Sequence, residues 1–267
     1  MRWSTALLLS AAVVPLACAG RQDEVRPGAQ SEAAQSAAAY DLAADLWLQR
    51  NRPRKALAEA LRAIELDDDN ADAHHLISLL YLDFCRRDPQ DCRLAAAEEH
   101  AREALDRRQD FREAQNTLGV VLIHRHRYPD AIRILEPLTK DMLYQTPENA
   151  WGNLGWAYFE SGQLERAIDA LKRSTAIQPD FCVGHYRLGE TFMKKRDARA
   201  ALAAFDRALS VNHARCKAMQ IVYPARAKVL LQLGRQDEAV SDLERCVHLD
   251  KNTATGRQCS ASLATLK

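Results

Sequence analysis

A small residue that returns at nearly constant spacing limits what this chain can fold into more than any other feature. Ala56, Ala97, Ala131, Ala167, Ala201 and Ala239 open segments of similar pattern, separated by 41, 34, 36, 34 and 38 residues. In Leu118-Gly119, Leu154-Gly155 and Leu188-Gly189 a glycine sits twelve residues before one of these alanines, and Leu122, Tyr158 and Phe192 follow three residues later. Periods of this length belong to chains built from stacked supersecondary units, each too small to bury its apolar face alone. Helix formers dominate the composition, with only 10 glycines and few Val, Ile and Thr, so the units are expected to be helical. Each is predicted to be an antiparallel helix pair. The small residues mark the closest approach of two helices, and Trp47, Tyr81, Tyr158, Phe192 and Phe205 fill the gaps between units. Gly162-Gln163 and Gly234-Arg235 supply turns, and Tyr128-Pro129-Asp130 supplies a helix start.

Two of the separations equal the 34-residue period of the tetratricopeptide repeat, and Pro179 closes the fourth unit where that repeat places proline. The chain resembles the tetratricopeptide-repeat family over most of its length. The resemblance implies an all-α solenoid, a right-handed superhelix of about six antiparallel helix pairs with a C-terminal capping helix. Units are expected at 37–70, 71–111, 112–147, 148–181, 182–219 and 220–253, with the cap at 254–267. Units one, two and six carry Ala44, Ser78 and Ala227 where the others carry glycine, all still small.

The N-terminus sets the expected compartment. Arg2 gives a short basic start, and Ala6 to Leu16 is an apolar run too short to span a membrane as a mature helix. Residues 1–17 therefore read as a signal peptide. Pro15-Leu16-Ala17-Cys18 resembles a bacterial lipobox, with Pro15 where Leu is usual, and lipidation is expected at Cys18. Cleavage after Ala17-Cys18-Ala19 is the alternative and would release a soluble periplasmic protein. Residues 18–36, rich in Ala, Gln and Ser with Pro27 and Gly28, read as a flexible tether.

Six further cysteines remain: Cys85, Cys92, Cys182, Cys216, Cys246 and Cys259. An even number in an exported chain favours disulfides over free thiols or a metal, since no C-x-x-C and no zinc-like Cys/His spacing occurs. Contacts in a solenoid reach only the same or the next unit. That restriction favours Cys85 with Cys92, Cys182 with Cys216 and Cys246 with Cys259 among the possible pairings.

The net charge is +1 with both signs interleaved, which does not suit a nucleic-acid binder. His74-His75 and His124-Arg125-His126 point in different directions on a helix and make poor chelates. No G-x-S-x-G, H-E-x-x-H or phosphate-binding glycine loop appears, so no catalytic residue, metal or cofactor is assigned. A partner-binding groove is expected instead. Projecting the first helix of each pair towards the concave side selects His75, Leu79, Asn116, Val120, Ile123, Trp156, Phe159, Tyr186 and Met193, an aromatic and apolar surface suited to a helix or extended peptide. Asn153 and Arg187 fit part of the carboxylate-binding pattern of some cytosolic chaperone-binding repeats. Asn116, Val120 and Val183 do not, which argues against that function.

Within the wider family, Asp141-Met142-Leu143-Tyr144 followed by Asn153-Leu154-Gly155 is similar to the D-x-L-Y step before an N-L-G helix in the type IV pilus pilotin lipoproteins, the PilF/PilW/Tgl group. The resemblance implies a lipoprotein on the periplasmic face of the outer membrane that binds a secretin subunit and promotes its localisation or assembly. Ala19 agrees, since it is not the Asp that retains a lipoprotein in the inner membrane. The alternatives are an accessory repeat lipoprotein of other envelope or β-barrel assembly machinery, or a regulatory subunit of a periplasmic enzyme.

Overall fold

The computed structural model describes residues 31–87 and 89–266, and all regular structure among them is helical. The expected signal peptide, Cys18 and most of the expected tether lie outside the described residues. The helices are α1 (Glu32–Leu48), α2 (Pro53–Leu66), α3 (Ala71–Arg87), α4 (Leu94–Arg107), α5 (Arg112–His124), α6 (Tyr128–Leu138) and α7 (Pro147–Glu160). They continue with α8 (Leu164–Ile177), α9 (Cys182–Lys194), α10 (Ala198–Ser210), α11 (Ala214–Lys217), α12 (Val222–Gln232), α13 (Gln236–Leu249) and α14 (Ala254–Leu266). A 3-10 turn at Pro89–Asp91 precedes α4. Six pairs form: α1/α2, α3/α4, α5/α6, α7/α8, α9/α10 and α12/α13. The second helix of each pair packs on the first helix of the next, and α14 continues this pattern against α13. This is an α-solenoid.

The recurring small residues account for the pairing. All six alanines that define the period are fully buried. A Cβ added to Gly119 would lie 2.6 Å from Leu135, one added to Gly155 2.6 Å from Leu171, and one added to Gly189 2.5 Å from Phe205. In each case the space a side chain would need is filled by a large residue of the partner helix. Unit two has Ser78 at this position, and its buried hydroxyl donates to Ala97 O at 2.8 Å, so a polar atom fits where a hydrogen stands elsewhere.

The turns inside the pairs share one device, a residue with positive φ: Asn51, His126, Gly162, Arg196 and Gly234. Glycine takes this conformation freely, while His126 and Arg196 do so against side-chain sterics. Unit two differs, and the sulfurs of Cys85 and Cys92 lie 2.05 Å apart across its longer turn. Cys182 and Cys216 are likewise 2.03 Å apart and Cys246 and Cys259 2.01 Å apart. The second bridge holds the segment containing α11, an insertion the repeat pattern does not signal, against the start of α9. The third ties α14 to α13.

Two features depart from the sequence expectation. The first helix begins at Glu32, ahead of residue 37, because Ser36 is an anchor: it is fully buried, donates to Ala63 O at 2.7 Å and accepts from Asn70 Nδ2 at 2.9 Å. The connection from α6 to α7 is a structured loop. Asp141 accepts from Arg112 Nε at 2.6 Å and from the Leu143 amide at 2.8 Å, while Tyr144 is buried with Leu138 and Ala150. Met142 is left 96% exposed at the tip.

The α13–α14 junction gives a direct test of close packing. A Cβ on Gly256 would stand 1.9 Å from the backbone oxygen of Asp250, and backbone cannot step aside as a side chain can. Gly256→Ala is expected to lower stability by about 1–3 kcal/mol, seen as an earlier urea midpoint. An unchanged midpoint would mean that α14 is not seated on α13 as described.

Candidate partner-binding groove

The first helices of successive pairs touch one another in series, α1 to α3, α3 to α5, α5 to α7, α7 to α9 and α9 to α12. The second helices meet mainly first helices, so the stack closes up on the first-helix side. That side is the inner face, and α3, α5, α7 and α9 line its middle.

A diagonal of hydrogen bonds crosses this face. It joins the residue three before the small position of one helix to the residue two before it on the next. His75 Nε2 is 2.9 Å from Thr117 Oγ1. Asn116 Oδ1 accepts from Asn153 Nδ2 at 3.0 Å. At the next junction Gly152 has no side chain to offer, and its carbonyl oxygen accepts from Arg187 Nη1 at 3.2 Å, with Asn153 Oδ1 accepting from the same nitrogen at 3.0 Å. Gly152 is glycine because Phe181 occupies the space, 2.9 Å from where its Cβ would be. Inner-face polar residues thus hold adjacent units in register, a use of buried polar groups that rewards full satisfaction.

Trp156 is the most constrained large residue of the groove. His124 meets its ring edge-on at a centroid distance of 5.0 Å, and the Arg187 guanidinium lies 4.3 Å above the ring centroid. Its indole nitrogen donates to Glu160 Oε1 at 3.0 Å. Phe159, one turn on, carries Lys194 Nζ 4.6 Å from its ring centroid, and its carbonyl oxygen accepts from that ammonium at 3.3 Å. Burial dominates the titration of this region. It pushes the His75 imidazole down to about 4 and the Arg187 guanidinium down to about 10, and it raises the Glu190 carboxyl. Arg187 is half-buried by surface area but ringed by protein atoms. His124 is lowered by burial first and by the nearby Arg187 charge second.

The expected groove residues separate into three groups. Trp156, Phe159 and Met193 are partly exposed on the inner face, as are Leu79 and Val120. His75 and Asn116 are there too, but their polar atoms bond to the neighbouring helix. Two expectations require correction. Ile123 is only 2% exposed, inside a cluster that Trp156 and Phe159 cover. Tyr186 is 9% exposed: its ring packs near Phe205, with centroids 6.0 Å apart, and its hydroxyl bonds to Glu190. The groove floor is therefore more polar than expected. Thr117, Glu190 and Lys194 were not singled out from the sequence. The signal for Thr117 was its place two before the small residue, shared with Asn153 and Arg187. Among the described residues no set of three His, Cys, Asp or Glu is arranged to hold a metal. His74 instead pairs with His100, their Nδ1 atoms 3.0 Å apart.

Comparison with known proteins agrees with this architecture. A family model described as "Tetratricopeptide repeat" matches residues 148–181, and a second with the same description matches 93–136 and 186–251, together more than half of the chain. Among curated proteins, the type IV pilus assembly protein PilF of Pseudomonas aeruginosa is 24% identical over 162 residues, covering 60% of this chain and 61% of PilF. The chloroplastic tetratricopeptide repeat domain-containing protein PYG7 of Arabidopsis thaliana is 28% identical over 94 residues, covering 34% of this chain and 31% of PYG7. The chain thus spans less than two thirds of either curated relative. The crystal structure of PilW, described as a widely conserved type IV pilus biogenesis factor, superposes with a TM-score of 0.69 at 23% identity, covering 84% of this chain and 97% of PilW. At that identity the superposition speaks for the fold. With the paired helices, the small-residue period and the matched repeats in agreement, the chain belongs to the tetratricopeptide-repeat family.

Proposed function

We propose that this protein is a pilotin of type IV pili. In this reading residues 1–17 are a signal peptide, Cys18 carries lipid at the periplasmic face of the outer membrane, and the residues from 18 to the start of α1 at Glu32 lead from the anchor to the repeats. The inner groove binds a secretin subunit and promotes its localisation or assembly. The observation that carries the reading is the combination of PilF- and PilW-like repeats with a cysteine that closes an apolar leader. Anchor and groove act together, because a client held near the membrane meets the groove as an intramolecular event at high effective concentration. Trp156 suits the role of anchor residue, being large, aromatic and already fixed by His124, Arg187 and Glu160, so little freedom is lost on binding.

Two variants in a piliated host test this. Cys18→Ala should move the protein out of the outer-membrane fraction. Trp156→Ala should deplete secretin multimers while the protein stays folded by circular dichroism and correctly fractionated. Full multimer levels in a folded Trp156→Ala strain would remove the groove from the mechanism, and full levels in a complete deletion would remove the pilotin assignment.

A further inference from the structure

Two cations in the groove form no close ion pair, unlike Arg112, which pairs with Asp141, and Arg226, which pairs with Asp242 and Asp206. Arg187 and Lys194 have no carboxylate within 4.0 Å among the described residues. Glu190 and Glu160 attract Arg187 only from longer range, Glu160 accepting from the Trp156 indole at 3.0 Å and Glu190 bonding to the Tyr186 hydroxyl. The Arg187 bonds to Gly152 O and Asn153 Oδ1 use a single nitrogen, Nη1. Both cations come from α9 and both rest on aromatic rings of α7, Arg187 over Trp156 and Lys194 over Phe159. An aromatic face beneath a cation fixes its position and leaves its other side available to an anion.

Spacing adds a constraint. Arg187 and Lys194 are seven residues apart, two helical turns, so they share one side of α9 about 10 Å apart along its axis. In a polyproline II segment three residues rise about 9 Å and return to the same face. We propose that the groove recognises an acidic protein segment, with two carboxylates set as in Asp or Glu at positions i and i+3 of a peptide in this conformation, one for Arg187 and one for Lys194. Trp156 and Phe159 supply the apolar contact between them. The inference rests on the groove being the partner site and adds the chemistry of what it selects.

The test uses the full chain carrying Cys18→Ala and a phage-displayed library of random 12-residue peptides. Peptides that lose binding to the Trp156→Ala variant define groove ligands. Those ligands are expected to be enriched in acid pairs at i and i+3, and to weaken about tenfold or more on Lys194→Gln, on Arg187→Gln, or when their Asp and Glu become Asn and Gln. Lys194 is exposed and carries no fold contact beyond Phe159, so its variant stays informative if Arg187→Gln lowers the melting temperature. Groove ligands without acidic enrichment that bind both Gln variants normally would overturn the inference and leave the groove reading intact. A library with no Trp156-dependent binder would overturn both. Vesicles of phosphatidylglycerol that bind the chain in a Lys194-dependent way and displace the peptides would assign the cations to lipid head groups and overturn the peptide proposal.

Discussion

Phe205→Ala is expected to cost about 3–5 kcal/mol, among the largest losses available to a single side chain in this protein. Phe205 is fully buried on α10, and its ring fills the space left by Gly189 on α9. Because Gly189 has no side chain to relax inwards, truncation leaves a hole that the neighbours close poorly, and cost rises with residual cavity volume. The effect should be centred on units five and six, since solenoid stability is a sum of local unit and interface terms. Urea unfolding followed by circular dichroism checks this: the midpoint should fall sharply, with a shallower transition if the C-terminal units separate from the rest. Met142→Ala is the control. That side chain is 96% exposed, and its loss should stay within about 0.5 kcal/mol. Equal effects from the two variants would refute the assigned packing.

A second large effect is expected from acid. The His75 imidazole is held down to about 4 by burial, against an ordinary value of 6.5. Between those values the unfolded chain takes up a proton that the folded chain refuses, so stability falls as pH drops from 6.5 towards 4 and is unaffected above that window. The shift corresponds to roughly 3 kcal/mol by the acid end. His100 and His124 are also lowered, mainly by burial, and act in the same direction. His75→Gln keeps a polar group facing Thr117 and removes the titration. Its stability should therefore change less between pH 7 and pH 4.5 than that of the parent protein, by about 2–3 kcal/mol. Parallel pH profiles for the two would mean that His75 is solvated rather than enclosed.

How much of this the sequence carried depended on whether a residue's role was set by its own helix pair. Gly119, Gly155 and Gly189 were legible because each leaves room for a large residue sixteen positions later in the same unit, a relation the repeat period fixes. The loop at 141–144 was legible as a step in the pattern, but not its anchoring by Tyr144, which depends on Leu138 and Ala150 from two flanking helices. The groove was harder. A helical projection orients a side chain and says nothing of what the adjoining helix offers it. His75 and Asn116 do project inwards, yet their hydrogen-bonding atoms meet Thr117 and Asn153 before any ligand. Ile123, Phe159 and Met193 occupy equivalent positions in three units, and only Ile123 is sealed, in a cluster covered by the aromatic residues of the following helix. Cation placement over Trp156 and Phe159 likewise depends on α7 and α9 together, so neither helix alone reveals it.

The three disulfides are unevenly placed. One lies in unit two, one braces unit five and one secures the last unit to α14, and the chain has no cysteine between Cys92 and Cys182. Units three and four, the second of which carries Trp156 and Phe159, hold no disulfide, and packing, hydrogen bonds and ion pairs such as Arg125 with Glu98 and Lys195 with Glu165 join them to their neighbours. Because none of the three bridges joins one helix pair to the next, a load along the solenoid axis would fall on the non-covalent contacts at every junction between pairs, with only the cap α14 tied on by a disulfide. A partner bound as proposed, across α7 and α9, would brace one such junction, so occupancy of the groove and the pitch of the solenoid would be mechanically linked.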